Sequence, residues 1–213
     1  MGYRRAGFDV VGVDIEPQPH HWNRSDVVQF DALRMLAEHP EFIRTFDAIH
    51  ASPPCQASTA LTKGTNSATR SHLHVDLIAE VRELLEATGL PYVIENVQGA
   101  KLRPDVKLCG EMFGLGVIRH RVFELGGWST PQPEHKPHRG RVRGWRHGEF
   151  FDGPYVAVYG EGGGKGTVDE WRDAMGIDWP LHSRAHIAEA IPPAYTEHIG
   201  RALLDHVAAR AAA

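Results

Sequence analysis

The sequence predicts an α/β fold with a mostly parallel sheet. Four short β-branched runs lie along the chain before residue 95, at 9–15, 27–30, 46–50 and 92–94. Helical patterns separate some of these runs, and strands that alternate with helices indicate βαβ units. In such sheets, ligands and reacting groups gather at the carboxyl ends of the strands.

Polar side chains follow each of these predicted strands. Asp14 closes the first run, Asp31 follows the second, and Cys55 and Glu95 come after the third and fourth. We therefore expect these four side chains at the same edge of the sheet, where they could form one site. Asp14 and Asp31 have an alternative role, since each could cap a helix that follows its strand.

Two helices have clear apolar faces. The first lies between the third and fourth strands, and its apolar residues are Leu77, Ile78, Val81, Leu84 and Leu85. Gly89 and Pro91 are expected to end it. The second follows Pro192-Pro193, with apolar residues at Tyr195, Ile199, Leu203 and Val207. Both patterns recur at the spacing of one helical face.

Composition limits the class of protein. The chain has 213 residues, a formal net charge of −4 and 42% hydrophobic residues. This suits one α/β domain with a small inserted lobe. No run approaches the roughly 18 apolar residues of a membrane span, and no signal-peptide pattern opens the chain. We therefore expect a cytoplasmic protein with no membrane contact.

The composition changes after residue 125. From Gly126 to about Trp179, proline, glycine, histidine and arginine dominate. The run GEGGGKG at 160–166 lacks the spacing and the Lys-Ser/Thr pair of a triphosphate-binding loop. We predict a catalytic domain at 1–125, a small lobe at 126–184 and a C-terminal helix at 185–213 that returns to the first domain. Packing of this lobe is the expected role of Trp171, Trp179 and Phe150-Phe151.

A basic segment at 135–147 has the sequence HKPHRGRVRGWRH, which contains no acid and includes Trp145. Basic residues interleaved with an aromatic ring suit phosphate contacts and base stacking. A solvated loop is the alternative. The 14 histidines include no Cys/His set at zinc-finger spacing, so we predict no metal site and expect most histidines on the surface and in loops.

The chain has two cysteines, Cys55 and Cys109, and both are expected as free thiols in a reducing cytosol. Cys109 fits a buried, small apolar side chain. Cys55 follows Pro53 and Pro54, whose restricted backbone angles suit a loop that holds a nucleophile. A thiol after one strand and the Glu95 carboxyl after another suggest covalent attack assisted by proton transfer.

Three motifs occur in order along the chain: Ser52-Pro53-Pro54-Cys55-Gln56, Glu95-Asn96-Val97 and Arg119-His120-Arg121. Together with the helix start Ile191-Pro192-Pro193, they resemble the DNA cytosine-5 methyltransferases. The likeness covers most of 6–125 and resumes near Ala185. It implies a Rossmann-like class I methyltransferase sheet, with the lobe at 126–184 in the place of a target-recognition region.

The resemblance implies a catalytic role for six residues. Cys55 would be the nucleophile that adds to C6 of cytosine, on a loop shaped by Pro54. Glu95 would bond N3 and the exocyclic amine and stabilise charge at N3. Because the base cannot be reached inside a duplex, it would be flipped out of the helix.

The remaining catalytic residues implied by the resemblance support this chemistry. Arg121 matches the arginine that bonds O2 of the base. Arg119 would contact phosphate or organise the site, and Asn96 would brace the loop. Since Arg119 and Arg121 alternate on a predicted strand, we expect both to face the same side.

The resemblance also implies a cofactor and partners. S-adenosylmethionine would place its ribose hydroxyls on Asp14 and its adenine amine on Asp31. Ile15 would pack against the adenine, and Pro53 would lie on the cofactor side of the loop. The expected partner is double-stranded DNA, bound by a monomer in a bacterial or phage-infected cell.

The chain departs from the family in three places. The family opens with a central strand and a glycine-rich turn near the methionine part of the cofactor, whereas this sequence starts at residues that match the following helix. We expect either a longer reading frame or a remnant with weakened cofactor binding. Ala188-Glu189 replaces a Gly-Asn pair, which puts one cofactor contact in doubt. The short lobe predicts short or relaxed specificity, as in a phage or mobile-element enzyme that takes part in restriction-modification or evades it.

Two other functions remain open from the sequence. The first is a DNA-binding remnant that keeps the fold but has lost turnover. The second is a thiol-dependent C5 modification of another pyrimidine substrate, such as a nucleotide or RNA.

Overall fold

The computed structural model describes residues 1–18, 26–54, 76–159 and 166–212. Within these ranges the chain has a mixed α/β architecture, which confirms the predicted α/β class. The helices are α1 (Gly2–Ala6), α2 (Ala32–Glu38), α3 (Pro40–Ile43), α4 (Ile78–Thr88), α5 (Val168–Met175), α6 (Arg184–Glu189) and α7 (Pro193–Ala211). A 3₁₀ helix covers Gly110–Phe113.

The strands form three sheets. β1 (Gly12–Asp14) and β2 (Val27–Gln29) pair in parallel. A four-stranded sheet has the order β3-β4-β6-β5, and its strands are β3 (Ile49–Ala51), β4 (Tyr92–Val97), β5 (Val106–Leu108) and β6 (Arg121–Gly126). A hairpin joins β7 (Gly144–Arg146) to β8 (Glu149–Phe151).

Strand direction differs from the prediction. β3 runs parallel to β4, but β4 and β5 both run antiparallel to β6. The main sheet is therefore mixed, and the prediction of a mostly parallel sheet is wrong. The antiparallel strands come from 106–126, where the sequence offers no helix long enough for a parallel crossover.

All four predicted strands have different bounds, and those predicted at 9–15 and 27–30 are shorter, at Gly12–Asp14 and Val27–Gln29. The strand predicted at 46–50 lies at Ile49–Ala51. Phe46 instead packs its ring edge-on against Phe42, with 5.1 Å between centroids, in the turn after α3. The strand predicted at 92–94 continues to Val97, because β6 pairs with it over its full length. Glu95 therefore lies within a strand rather than at its end.

Helices cover both faces of the four-stranded sheet. On one face, Val81 and Leu85 of α4 pack with Tyr92 and Ile94 of β4. On the other face, α7 forms a larger cluster, whose members include Val93, Phe123, Tyr195, Ile199 and Leu203. Since side chains alternate along a strand, Glu95 lies on the α7 face with Val93. Glu124 of β6 is paired with Ile94 and lies on the α4 face.

Both predicted helices are present. α4 ends at Gly89, which has a left-handed backbone with φ of 69°, the conformation that favours glycine. α7 begins at Pro193 and buries Tyr195, Ile199 and Leu203. α1 packs closely on α7, since a Cβ on Gly2 would overlap the backbone of Pro193. None of the described helices is long and apolar enough to cross a membrane.

The region at 126–184 packs around a second apolar cluster. Trp171 and Met175 of α5 are fully buried there, and Val117 and Ile187 from outside the region join them. Trp171 therefore packs as expected. Phe150 does not, since it is 49% exposed on the β7–β8 hairpin.

Candidate active site

The loop that leads to Cys55 is tied to β4. The side-chain amide of Asn96 donates a hydrogen bond to the carbonyl of Pro53 over 2.9 Å, and Asn96 is only 2% exposed. Cys55 itself lies outside the described residues. The segment Ser52–Pro54 before it leaves the carboxyl end of β3, next to β4, with Pro54 exposed and Pro53 half-buried.

Glu95 and Arg121 form a buried ion pair on the α7 face of the sheet. The Nε atom of Arg121 lies 2.8 Å from Oε1 of Glu95, and the two side chains are 13% and 6% exposed. Phe123 is opposite Glu95 and Arg121 is opposite Val97, so the pair is diagonal across neighbouring strands.

Burial raises the pKa of the Glu95 carboxyl, although Arg121 and the Ser52 hydroxyl oppose this effect. Oε1 is also buried and accepts no hydrogen bond of normal geometry from the described residues. The close approach of Arg121 is therefore mainly a charge contact. A carboxyl group with these properties holds a proton more readily than an ordinary glutamate, which suits proton transfer.

Two hydrogen bonds link α1 to Ser52, whose hydroxyl opposes the effect of burial on the pKa of Glu95. Nε2 of His50 lies 2.9 Å from the Ser52 hydroxyl, and the Tyr3 hydroxyl lies 2.8 Å from Nδ1 of His50. Desolvation lowers the pKa of His50 to about 4, so the ring is neutral at pH 7. With its proton on Nε2, the ring donates to the Ser52 hydroxyl and accepts from the Tyr3 hydroxyl.

Tyr3, His50 and Ser52 were not assigned roles from the sequence. Ser52 belongs to the recognised motif, and His50 precedes it by two positions on the same strand edge. That spacing places both side chains on one side of the extended chain, which was the available signal. Nothing local to Tyr3 indicates its contact with His50, because the two are brought together by the packing of α1 on α7 and β3.

Arg119 organises the site through backbone contacts. Its Nη1 donates to the carbonyl of Val158 over 2.9 Å, and its Nη2 donates to the carbonyl of Ala188. Its own carbonyl accepts a 2.6 Å bond from the Tyr195 hydroxyl. These contacts favour the site-organising role over phosphate binding. The expectation that Arg119 and Arg121 alternate along one strand is wrong, since β6 begins at Arg121.

A cleft of about 380 Å³ opens above Arg121, between β4, β6 and the second apolar cluster. Its lining residues include Val97, Gln98, Arg121, Val158 and Tyr159. Glu95 lies beneath Arg121 rather than in the lining itself. The volume is within the range of small-molecule sites, and the walls are apolar with a cationic floor.

Three of the four predicted cofactor residues, Asp14, Ile15 and Asp31, lie at the carboxyl ends of β1 and β2, and Pro53 follows β3. Asp14 accepts bonds from the Glu16 amide over 2.9 Å and the Gln18 side chain over 2.8 Å. Asp31 caps α2 by accepting from the amides of Leu33 and Arg34, so the capping alternative is correct for Asp31 and not for Asp14.

Ile15 follows Asp14 and is 62% exposed. The amide of Phe30 donates to the Asp14 carbonyl over 2.9 Å, which keeps Asp31 close to the end of β1. An exposed apolar side chain beside two strand-end carboxylates can accept an adenosine-like group, with the ring on Ile15 and polar atoms on the acids. The residues present therefore fit the adenosine part of S-adenosylmethionine.

Three arginines of the basic segment, Arg139, Arg141 and Arg143, contact other side chains. Arg139 lies 2.9 Å from Glu111, Arg143 lies 2.9 Å from Glu170, and Arg141 packs over the Phe151 ring. The positive charges of Arg139 and Arg143 are therefore balanced by neighbouring glutamates. Trp145 is 69% exposed and contacts Phe150 on the β7–β8 hairpin, so an aromatic pair remains accessible for stacking.

Four further side chains converge in a cluster that no sequence pattern predicted. Cys109 is buried as expected, but it lies with His120, His135 and His138, and one ligand-type atom from each falls within 4.8 Å of the others. As expected, the three histidines lie in loops, and His135 is exposed, but their convergence on Cys109 was not expected. The short spacing His135-x-x-His138 was the only local signal.

No protein-family model matches this chain, and no curated protein matches it either. The assignment of a function therefore depends on the chain's own residues and their geometry.

Proposed function

We propose that this protein is an S-adenosylmethionine-dependent DNA methyltransferase that modifies C5 of cytosine through a covalent bond between Cys55 and C6. The observation that carries the proposal is the buried Glu95–Arg121 pair beside the loop that leads to Cys55. A carboxyl group with a raised pKa and an adjacent guanidinium can recognise one polar edge of a flipped base.

The chemistry needs acid assistance at N3. When the Cys55 thiolate adds to C6, electron density moves from the C5–C6 bond to C5 and toward N3. Glu95 would hold a proton at N3 and accept from the exocyclic amine, while Arg121 would donate to O2. The raised pKa of Glu95 supports this role, because the carboxyl group can share its proton as charge develops.

The cofactor contributes one function when bound: it supplies an electrophilic methyl group for C5. Asp14 and Asp31 would hold its ribose and adenine, and Ile15 would pack against the adenine face. After transfer, the proton on C5 leaves to a base, the sulfur–C6 bond breaks, and Cys55 regains its thiolate. Asn96 would hold the Cys55 loop close to Glu95 through its hydrogen bond to the Pro53 carbonyl.

The strand arrangement also supports the proposal. In a Rossmann-like sheet, the strands that lead to the site residues run parallel to one another. Among the described residues, β1 pairs in parallel with β2, and β3 pairs in parallel with β4. The Rossmann-like methyltransferase assignment therefore remains part of the proposal.

Covalent trapping tests the proposal directly. Duplex DNA that contains 5-fluorocytosine blocks the last steps, since fluorine cannot leave C5 as a proton does. We expect the protein to form a denaturation-resistant adduct with this DNA only when S-adenosylmethionine is present. The variant Cys55→Ala should form no adduct and transfer no labelled methyl group to ordinary duplex DNA, whereas Glu83→Gln, which changes an exposed acid on α4, should behave as wild type. An adduct with Cys55→Ala would overturn the assignment.

A second candidate is a DNA-binding protein of this class without turnover. The separation of the β1–β2 sheet from the four-stranded sheet favours it, because the predicted cofactor and base sites then belong to different sheets. Calorimetric titration with S-adenosylmethionine separates the two candidates. Binding with methyl transfer supports the enzyme, and DNA binding with no heat from the cofactor supports the second candidate.

A further inference from the structure

We propose that Cys109, His120, His135 and His138 form a four-coordinate zinc site. Their ligand-type atoms all lie within 4.8 Å of one another. Sγ of Cys109 is 3.3 Å from Nε2 of His138, and Nε2 of His120 is 3.1 Å from Nε2 of His135. The proposal rests on this cluster and does not depend on the methyltransferase function, although His120 also lines the cleft above Arg121.

The β5–β6 ladder brings two of the four ligands together. Leu108 of β5 is paired with Arg121 of β6, so Cys109 and His120 are the next residues on each side. The Cys109 thiol and the His120 imidazole therefore extend from opposing backbone positions at the same end of an antiparallel strand pair. The backbone therefore preforms half of the site.

The segment that carries His135 and His138 is held at both ends. Before it, the Gln132 side chain bonds to both backbone groups of Lys107, with the amide at 2.7 Å and the carbonyl at 2.9 Å. After it, the Arg139 amide donates to the Tyr155 hydroxyl over 2.8 Å, and the Arg139 side chain contacts Glu111. These anchors hold both histidines against Cys109 by contacts that involve no ligand atom.

The distances suit a metal ion. In a tetrahedral zinc site with bonds of about 2.0 Å to nitrogen and about 2.3 Å to sulfur, neighbouring ligand atoms lie about 3.3–3.7 Å apart. The contact between Cys109 and His138, at 3.3 Å, and the contact between His120 and His135, at 3.1 Å, are close to this range. The three rings also crowd together, with centroids 5.1 to 5.4 Å apart.

The ligand types favour zinc and a structural role. A thiolate with three imidazoles is a borderline-soft set that zinc prefers over magnesium or calcium. Four protein ligands leave no open coordination position for water, which is the pattern of a structural rather than a catalytic site. The ion would join β5, β6 and the 135–138 segment. Since His120 lies between Arg119 and Arg121, it would also fix the start of β6, from which Arg121 reaches Glu95.

Metal analysis of untagged, purified protein tests the site. We expect about one zinc ion per chain by mass spectrometry. The variants Cys109→Ala and His135→Ala should lose most of the bound zinc. Because the His135 side chain is exposed, its replacement by alanine leaves no cavity in the core. The controls His182→Ala, which changes another exposed histidine, and Cys55→Ala should retain zinc.

Cobalt substitution identifies the ligand sulfur. Protein that is stripped by a chelator and reloaded with Co²⁺ should show a thiolate-to-cobalt charge-transfer band and the strong visible bands of a tetrahedral site. Both should disappear in Cys109→Ala and persist in Cys55→Ala. Wild-type protein that holds no zinc and shows no thiolate band with Co²⁺ would overturn the proposal and leave a hydrogen-bonded cluster. Zinc retained by both ligand variants would overturn the ligand assignment.

Discussion

Two glutamates are buried in the same sheet, on opposite faces, and have opposite properties. Glu124 on β6 is fully buried and Glu95 on β4 is 5% exposed. The pKa of Glu124 is lowered, whereas the pKa of Glu95 is raised. Burial alone penalises both charges, so the difference must come from their partners.

The partners of Glu124 satisfy its charge. Arg82 donates to both carboxylate oxygens, at 2.6 and 2.8 Å, and the Arg103 amide adds a bond at 2.9 Å. A carboxylate with bidentate guanidinium and backbone donors is stable as an anion. Its interactions leave little capacity for a ligand, so Glu124 is a structural group.

Glu95 has weaker compensation. Arg121 approaches Oε1 at 2.8 Å but without hydrogen-bond geometry, and desolvation outweighs its effect on the pKa. A buried acid left incompletely paired beside a cleft is a feature of functional rather than structural groups. Comparison of the two glutamates therefore distinguishes Glu95, a candidate reactive group, from Glu124, which stabilises the fold.

The largest expected effect is on turnover when Glu95 is changed. If Glu95 holds the proton at N3, Glu95→Gln should lower kcat for methyl transfer by about 10²- to 10⁴-fold, the usual contribution of a general acid. Gln keeps the shape and the buried volume but cannot transfer the proton. The measurement is labelled methyl transfer at saturating duplex DNA and S-adenosylmethionine.

Glu83→Gln is the matched control, since Glu83 is an exposed acid on α4. Both variants should retain the wild-type circular dichroism spectrum. Turnover of Glu95→Gln within a small factor of wild type would remove Glu95 from the mechanism and with it the contrast with Glu124.

The second largest expected effect is a loss of folding stability when Glu124 loses its partner Arg82. Arg82→Ala leaves a fully buried carboxylate with only the weaker contacts of the Arg103 region. Removal of one partner from a buried ion pair costs about 3–5 kcal/mol, and we expect a loss near the lower figure because Arg82 is partly exposed. Urea unfolding of wild type and Arg82→Ala at pH 7 measures the difference in the free energy of unfolding.

Arg34→Ala is the comparison for Arg82→Ala, since Arg34 forms an exposed pair with Glu38 one helical turn away on α2. We expect little change in the free energy of unfolding of Arg34→Ala, because exposed ion pairs contribute little to stability. Equal, small losses in both variants would mean that Glu124 does not depend on Arg82.

The sequence predicts the local features of Glu95 better than those of Glu124. Glu95 belongs to a motif, Glu-Asn-Val, that follows a recognisable strand. The Arg82–Glu124 pair joins residues 42 positions apart and depends on how α4 lies across β6. No local pattern contains that information, because it arises from the antiparallel register of β4 and β6.

The same limit applies to the Cys109 cluster. Cys109 and His120 meet through the β5–β6 register, and the two further histidines depend on the Gln132 contact with Lys107. The spacing between the ligands therefore matches no zinc-finger pattern. Asp31 shows the converse: a strand-end acid that could cap the following helix was expected from the local sequence, and its carboxylate does cap α2.

The smallest effect is a difference in the pH dependence of stability. The pKa of Glu95 is raised above its ordinary value of 4.5, so the folded state holds its proton more tightly than the unfolded state. The stabilisation from protonated Glu95 is complete below the unfolded pKa and is lost as the pH rises through the folded pKa. Glu124, with a lowered pKa, stabilises the fold above its ordinary value of 4.5, and this is lost as the pH falls through its folded pKa.

Glutamine mimics a protonated carboxyl group, so Glu95→Gln should gain stability relative to wild type as the pH rises above about 4.5, the ordinary pKa of the carboxyl group. Glu124→Gln should lose stability relative to wild type at lower pH, as the pH rises toward about 4.5, because the lowered pKa of Glu124 places its titration in the folded state below that value. Urea unfolding of the three proteins between acidic and neutral pH measures both differences. Slopes of the same sign for the two variants would mean that the two carboxyl groups have similar environments, and the assignment of Glu95 as the reactive one would then need another basis.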